Sequence, residues 1–120
     1  MLSIGGATTR VYLAVGVTDM RKGVDGLSGL VRSRMESDPA SGHLFVFCNA
    51  GRTRLKVLYF DGSGTWLCAK RLERGRFEWP EDLGEEKKIA LGATELAALV
   101  DGLELTQTRA RRWWRRKIAA

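Results

Sequence analysis

The chain has 120 residues, 44% hydrophobic and 28% charged, which is enough for one globular core and too little for two full domains. No uncharged apolar run approaches the roughly 20 residues that span a bilayer, so we expect no transmembrane segment. Residues 1–9 resemble no secretory signal, and we expect a cytoplasmic protein. Cys48 and Cys68 lie far apart in apolar contexts, which predicts neither a disulfide framework nor a zinc site.

Positive charge is concentrated at one end of the sequence. The formal net charge is +6, and residues 105–120 contain six basic residues and no acidic one. The remaining 104 residues carry 14 basic and 14 acidic groups and are therefore neutral. We predict a single domain over residues 1–108 and a basic, Trp/Arg-rich tail over 109–120 that binds a polyanion or a protein partner. The alternative is a tail that only increases solubility.

The first elements are predicted to be a strand and a helix. Residues 9–15 are β-branched and aromatic, which favours a strand, and a Gly-Val-Thr-Asp break follows them. Thr18 or Asp19 is the candidate N-cap of the helix. Apolar residues then recur at helical spacing from Val24 to Met35, and the helix should end before Pro39.

The middle of the chain changes to a period of two. Apolar and β-branched runs at 44–48, 54–60 and 65–74 are separated by short loops rich in Gly, Asn and Asp. Such loops are hairpin signals, so the three runs predict an antiparallel meander, with Arg54 and Lys56 on the more solvated face of its middle strand. Residues 76–79 are a candidate fourth strand that Pro80 would end.

A second, short helix is predicted to follow Thr94, its N-cap, and to end near Asp101-Gly102. The strands are clustered along the chain and do not alternate with helices. The predicted fold is therefore α+β: a small antiparallel meander sheet with an N-terminal strand–helix unit and a short C-terminal helix.

No set of side chains predicts catalysis. His43 is the only histidine and has the context of a surface residue at a strand start, and the carboxylates of residues 81–86 lie in a charged connection. We therefore predict no catalytic residue, no metal and no cofactor, and an enzyme with an unrecognised site is the least favoured class of function.

Cations interleaved with aromatic rings are the stronger signal, because cations neutralise phosphates while indole rings stack on bases or become buried in a partner. The predicted nucleic-acid-binding residues are Arg21, Lys22, Lys70, Arg71, Arg74, Arg76, Arg109, Arg111, Arg112, Arg115, Arg116 and Lys117. The predicted partner-binding residues are Trp79, Trp113 and Trp114. The structural alternatives are a solvated strand in which Arg71 pairs with Glu73 or Glu78, and a C-terminal helix end that packs on the body through its tryptophans.

Four motifs carry a family resemblance. They are T-D-M-R-K-G at 18–23, G-H-L-F-V-F at 42–47, K-V-L-Y-F-D-G at 56–62 and A-K-R-L-E-R-G-R-F-E-W-P at 69–80. In this order and spacing the chain resembles the accessory protein of the IS66 class of insertion sequences, called TnpB or second-open-reading-frame-like, which is unrelated to the RNA-guided nuclease of the same name.

The resemblance implies a small protein encoded beside a separate DDE-type transposase and needed for transposition, with no assigned catalytic residues. We expect a non-catalytic accessory factor that binds the DNA of the element ends through its basic residues. The rival hypothesis is a protein adaptor that docks on the transposase without contacting DNA. No small-molecule substrate and no membrane partner is expected, and no recognition helix for base-specific contacts is visible.

Overall fold

The structure is a computed structural model that describes residues 9–100. These residues form a five-stranded sheet and two helices, and neither helix is long and apolar enough to cross a bilayer. In chain order the elements are β1 (Val11–Ala14), α1 (Val24–Ser33), β2 (Leu44–Cys48), β3 (Arg54–Phe60), β4 (Thr65–Arg71), β5 (Lys88–Leu91) and α2 (Ala93–Val100).

The strand order across the sheet is β4-β3-β2-β1-β5. β2, β3 and β4 form the predicted antiparallel meander, and β1 lies parallel to β2 because α1 carries the chain back across the sheet. β5 pairs antiparallel with β1. The α+β class with an N-terminal strand–helix unit and a short C-terminal helix is confirmed.

Both faces of the sheet are covered. On one face, Leu27, Val31 and Met35 of α1 and its C-terminal extension pack against Phe45 and Phe47 of β2. On the other face, Phe77, Trp79 and Leu99 cover Val46 and its neighbours. All five residues of β2 are consequently buried, which explains its uninterrupted apolar sequence.

Two predicted caps and one predicted strand are wrong. α1 begins after Gly23 and has no side-chain cap, so neither Thr18 nor Asp19 caps it. Thr94 lies inside α2, and the Glu95 carboxylate accepts a hydrogen bond from the Gly92 amide, one half of a capping box.

Residues 76–79 form no strand, although Phe77 and Trp79 alternate with charged residues as a strand would. Both side chains are buried against the sheet face, and the Phe77 amide donates to the Arg52 carbonyl at 2.7 Å. The segment thus lies over the sheet instead of extending it. The fifth strand is residues 88–91, where the sequence pattern predicts no strand.

Candidate nucleic-acid interface

One end of the sheet collects most of the basic side chains of the domain. β2 ends there, β3 begins there and β4 ends there, and the segments 15–23, 49–53 and 72–81, which follow β1, β2 and β4, start from the same end. We call this region the basic end. Its cations are Arg21, Lys22, Arg52, Arg54, Lys56, Lys70, Arg71, Arg74 and Arg76.

The loop between β2 and β3 is shaped by Asn49. Its side-chain oxygen accepts hydrogen bonds from the backbone amides of Thr53 at 2.9 Å and Arg54 at 3.0 Å. The backbone amide of Asn49 donates to the Arg54 carbonyl. Arg52 has a positive φ of 58° within this loop. The loop therefore gives the backbone of Arg52 and Arg54, at the start of β3, a defined geometry.

The segment after β4 is fixed at both of its ends. The Leu72 amide donates to the Thr53 carbonyl at 2.8 Å, and Phe77 is held on Arg52 as described above. Trp79 is only 2% exposed, and its indole Nε1 donates to the carbonyls of Ala14 and Gly16. The arginines at 74 and 76 lie between these anchors and are exposed.

The burial of Trp79 corrects one prediction. Its ring fills the core and its N–H is satisfied within the chain, so it offers no surface to a partner. Its role is to fasten the 72–81 segment to the end of β1.

The segment before α1 is tied to β3 by one lysine. Lys56 Nζ donates to the carbonyls of Met20 at 2.8 Å and Lys22 at 2.9 Å. Asp19 organises the same segment: it accepts from the Arg21 amide and from the Arg21 guanidinium at 2.8 Å. The hydrogen bonds from the Arg21 side chain and amide lower the pKa of Asp19 to about 2.

An open groove of about 440 Å³ lies between the Met20 segment and the strands β3 and β4. Arg54 and Arg71 line it and are direct cross-strand partners. Like charges placed opposite each other on neighbouring strands repel, so this pair is unfavourable unless an anion lies between or near them.

Only part of this charge is neutralised within the domain. Arg21 pairs with Asp19, Arg52 pairs with Glu81 at 2.9 Å, and Arg71 is 3.6 Å from Glu73 with its side chain 63% exposed. Among the described residues of the basic end, Lys22, Arg54, Arg74 and Arg76 form no ion pair, and the ammonium of Lys56 donates to backbone carbonyls instead.

Other acidic residues lie away from these cations. Glu85 and Glu86 lie across β1 from the groove, next to Glu36 and the last turn of α1. The side near β3 and β4 therefore keeps an excess of positive charge.

The groove brings Met20, the residue before the predicted pair Arg21 and Lys22, beside Lys70 and Arg71 of the predicted cluster, although the two stretches are almost 50 residues apart in the sequence. Sequence reasoning missed Arg52, Arg54 and Lys56 as members of the same surface. The signal in the sequence that could have identified them is the basic, solvated face of the middle strand. The sequence alone does not show that this face lies near the other cations. The predicted tail cations, Trp113, Trp114 and the boundary at 108/109 lie outside the described residues.

The other titratable side chains considered for a functional role, His43 and Cys48, are buried or hydrogen-bonded within the fold. His43 is half-buried, its Nδ1 accepts from the Arg10 amide, and its ring meets Tyr12 edge-on. Burial raises the pKa of the Cys48 thiol to about 12. Between residues 9 and 100, no three side chains of His, Cys, Asp or Glu are grouped closely enough to hold a metal ion.

Comparison with known proteins gives the chain relatives in a rhizobium. It is 40% identical over 99 residues to "Uncharacterized protein y4hO" of Sinorhizobium fredii (strain NBRC 101917 / NGR234), covering 82% of this chain and 84% of that protein. It is 36% identical over 100 residues to "Uncharacterized protein y4jC" of the same strain, covering 83% and 84%. No solved structure gives a significant match.

The family described as IS66 Orf2 like protein matches residues 9–110, a span that contains all seven elements and the whole basic end. The match, the relatives of similar length and the four sequence motifs agree. The chain belongs to the IS66 Orf2-like family of insertion-sequence proteins.

Proposed function

We propose that this protein is a non-catalytic accessory factor of insertion-sequence transposition that binds duplex DNA through the phosphate backbone, using the basic end. Family membership supports the process. The observation that carries the mechanism is the cross-strand pair of Arg54 and Arg71 beside the groove, joined by the cations of residues 21–22 and 74–76. A phosphate bound there relieves the repulsion between the two guanidinium groups.

The geometry favours backbone contacts over base reading. The exposed cations lie on loops and strand ends, which can contact phosphates without entering a groove of the duplex. Base edges in the major groove are usually read by a helix or a two-stranded ribbon. Binding should therefore depend strongly on salt and weakly on sequence, since each phosphate contact releases counterions.

The tail cations Arg109, Arg111, Arg112, Arg115, Arg116 and Lys117 are proposed to extend this contact. They would add about four to six phosphates to the footprint. The separate transposase is the proposed protein partner at the same element ends, with Trp113 and Trp114 as its contact residues.

The test is a salt titration of DNA affinity with the full chain. Arg54→Gln with Arg71→Gln should weaken duplex binding at low salt and lower the slope of log K against log salt by about 1.8, because about two phosphate contacts are lost. Thermal stability should be unchanged or higher, since a like-charge pair is removed.

The matched control is Arg10→Gln with Arg32→Gln, which removes two exposed arginines outside the basic end. An equal loss of affinity in this control would show a non-specific effect of net charge and contradict the proposed site. Replacing the six tail cations by Gln measures the contribution of the tail separately.

The adaptor hypothesis predicts another pattern. DNA binding would be weak in every variant, and co-purification with the transposase would be lost on replacing Trp113 and Trp114 with Ala, because buried aromatic residues dominate protein interfaces. That result would replace the DNA-binding proposal.

A further inference from the structure

The strand β4 lies at one edge of the sheet formed by the described residues. Within residues 9–100 it pairs with β3 alone, and all seven of its residues are exposed or half-buried. Residues 65–69 contain neither a charge nor a proline, and Trp66 is 45% exposed. Natural proteins protect such edges with charges, proline or short strands, as at the opposite edge, where β5 has four residues and begins with Lys88.

Two hydrogen bonds fix which backbone groups of β4 face outward. The Asp61 amide donates to the Gly64 carbonyl at one end of the β3–β4 ladder, and the Leu72 amide donates to the Thr53 carbonyl at the other. In an antiparallel ladder, hydrogen-bonded and non-hydrogen-bonded pairs alternate. The residues whose amide and carbonyl groups point away from β3 are therefore Thr65, Leu67, Ala69 and Arg71.

We propose that two copies of this chain associate by antiparallel pairing of their β4 edges, with a two-fold axis at Cys68, to form a continuous ten-stranded sheet. In this register all four outward-facing residues of each strand are hydrogen-bonded. The hydrogen-bonded pairs are Thr65 with Arg71 and Leu67 with Ala69 of the other copy, and the intervening pairs are Trp66 with Lys70 and Cys68 with Cys68.

The charge pattern along β4 favours this register over its alternatives. Both cations lie at one end of the strand, so an antiparallel mate places them against an uncharged end. Lys70 faces the indole of the other copy's Trp66, a cation–π arrangement. Moving the axis to Lys70 would bring two ammonium groups together and leave half of the outward-facing residues unpaired, and moving it to Leu67 or Ala69 would leave part of the edge unpaired.

The hairpin turn before β4 adds complementarity. The Asp61 carboxylate accepts from the Trp66 indole and from the amides of Ser63 and Gly64, and so lies beside the first residues of β4. In the antiparallel pair, Lys70 of the second copy lies opposite Trp66, on the face of the sheet that carries the Asp61 carboxylate. A cation thus approaches a carboxylate at both ends of the new interface. The association uses the strand edge and does not depend on the DNA-binding proposal.

Cys68 gives a direct test of the register. Residues opposite each other in a non-hydrogen-bonded pair have Cα atoms about 4.5 Å apart, inside the range of about 4.4 to 6.8 Å that a disulfide bridges. Mild oxidation of the full-length protein by diamide, without DNA, should join two copies through Cys68, with one thiol of each copy oxidised and diamide reduced to the hydrazine. The dimer should be lost in Cys68→Ser.

A positional control separates pairing from random collision. Thr65→Cys in the Cys68→Ser background puts an exposed thiol on the same strand, but far from its own counterpart across the axis. It should cross-link much more slowly than Cys68. Equal rates for the two thiols would overturn the proposal.

Sedimentation of the reduced protein tests the association itself. Ala69→Pro removes an outward-facing amide and leaves the bonds to β3 intact, so the dimer dissociation constant should rise at least about tenfold. Ala69→Thr keeps the amide and should retain the dimer. Circular dichroism checks that both variants fold. A wild-type protein that is monomeric at its highest soluble concentration, or a dimer insensitive to Ala69→Pro, would overturn the proposal.

Discussion

The two ends of the sheet are each organised by an aspartate, with different consequences. At the basic end, the Asp19 carboxylate forms an ion pair with Arg21, whose side chain is 91% exposed. At the other end, which we call the hairpin end, Asp61 accepts from the Ser63 and Gly64 amides and from the Trp66 indole. The first arrangement holds a cation at the surface, and the second closes a turn.

The two ends also differ in how far apart in the sequence the contacting residues lie. The basic end is joined by bonds between distant segments: Lys56 to the Met20 and Lys22 carbonyls, Arg52 to Glu81, and Trp79 to the end of β1. The bonds around Asp61 span five residues or fewer. A substitution at the basic end should therefore disturb the tertiary structure, whereas the structural effect of a substitution at the hairpin end should be confined to the turn.

The largest expected effect separates two tryptophans. Trp79→Ala should lower the free energy of unfolding by about 3–5 kcal/mol, because it leaves a cavity and two carbonyls without their indole donor. Trp66→Ala, at the hairpin end, should cost about 1 kcal/mol, since its side chain is 45% exposed. Urea unfolding at a fixed protein concentration measures both, and equal losses would contradict the proposed difference between the ends.

Two glycines test how closely each end is packed. Gly16 and Gly62 both have positive φ, 89° and 103°. A Cβ at Gly16 would lie 2.5 Å from Arg34 Nη2, which donates to the Val15 carbonyl, whereas a Cβ at Gly62 meets nothing within 4 Å.

Alanine at either position should cost about 1 kcal/mol of backbone strain. Gly16→Ala should cost about 1–2 kcal/mol more, because the Arg34 guanidinium must move away from its carbonyl partners. Thermal melting of the two variants gives the comparison. A Gly62→Ala variant as unstable as Gly16→Ala would show that the contact with Arg34 is unimportant.

The smallest effect is in the titration of the two aspartates. Hydrogen bonds from Arg21 and from the Ser63 amide and Trp66 indole hold the pKa values of Asp19 and Asp61 at about 2, below the ordinary value of 3.8. A lowered folded-state pKa contributes stability that is complete above about pH 4 and is lost as the pH falls towards 2.

Salt should distinguish the two groups. High ionic strength screens the partner charge of Asp19 and should raise its pKa towards 3.8, while Asp61, held mainly by neutral donors, should shift less. Carboxyl ¹³C chemical shifts followed by NMR measure both values in one sample. A larger salt-induced change in pKa at Asp61 than at Asp19 would contradict the interpretation that an ion pair holds Asp19 and that mainly neutral turn donors hold Asp61.

Several features could be predicted from neighbouring residues alone. The spacing of Leu27 and Val31 indicates α1, and the alternation around the Asp61 turn indicates the β3–β4 hairpin, because helical and pleated periods and turn chemistry are properties of short segments. The same locality produced the errors. Phe77 and Trp79 alternate like a strand, and Asp19 precedes a helix, but the partners that decide their roles lie elsewhere in the chain.

The basic end is the clearest case of what required the tertiary structure. The sequence shows cations at 21–22, at 52–56 and at 70–76 as separate groups, and each by itself resembles a solvated surface. They lie at one end of the sheet because β2 is buried on both faces and must lie between β1 and β3, which brings the ends of β2 and β4 and the segment before α1 to that end. Residue type and local period are encoded within a few positions, whereas the neighbours of a strand are chosen by the burial of both its faces.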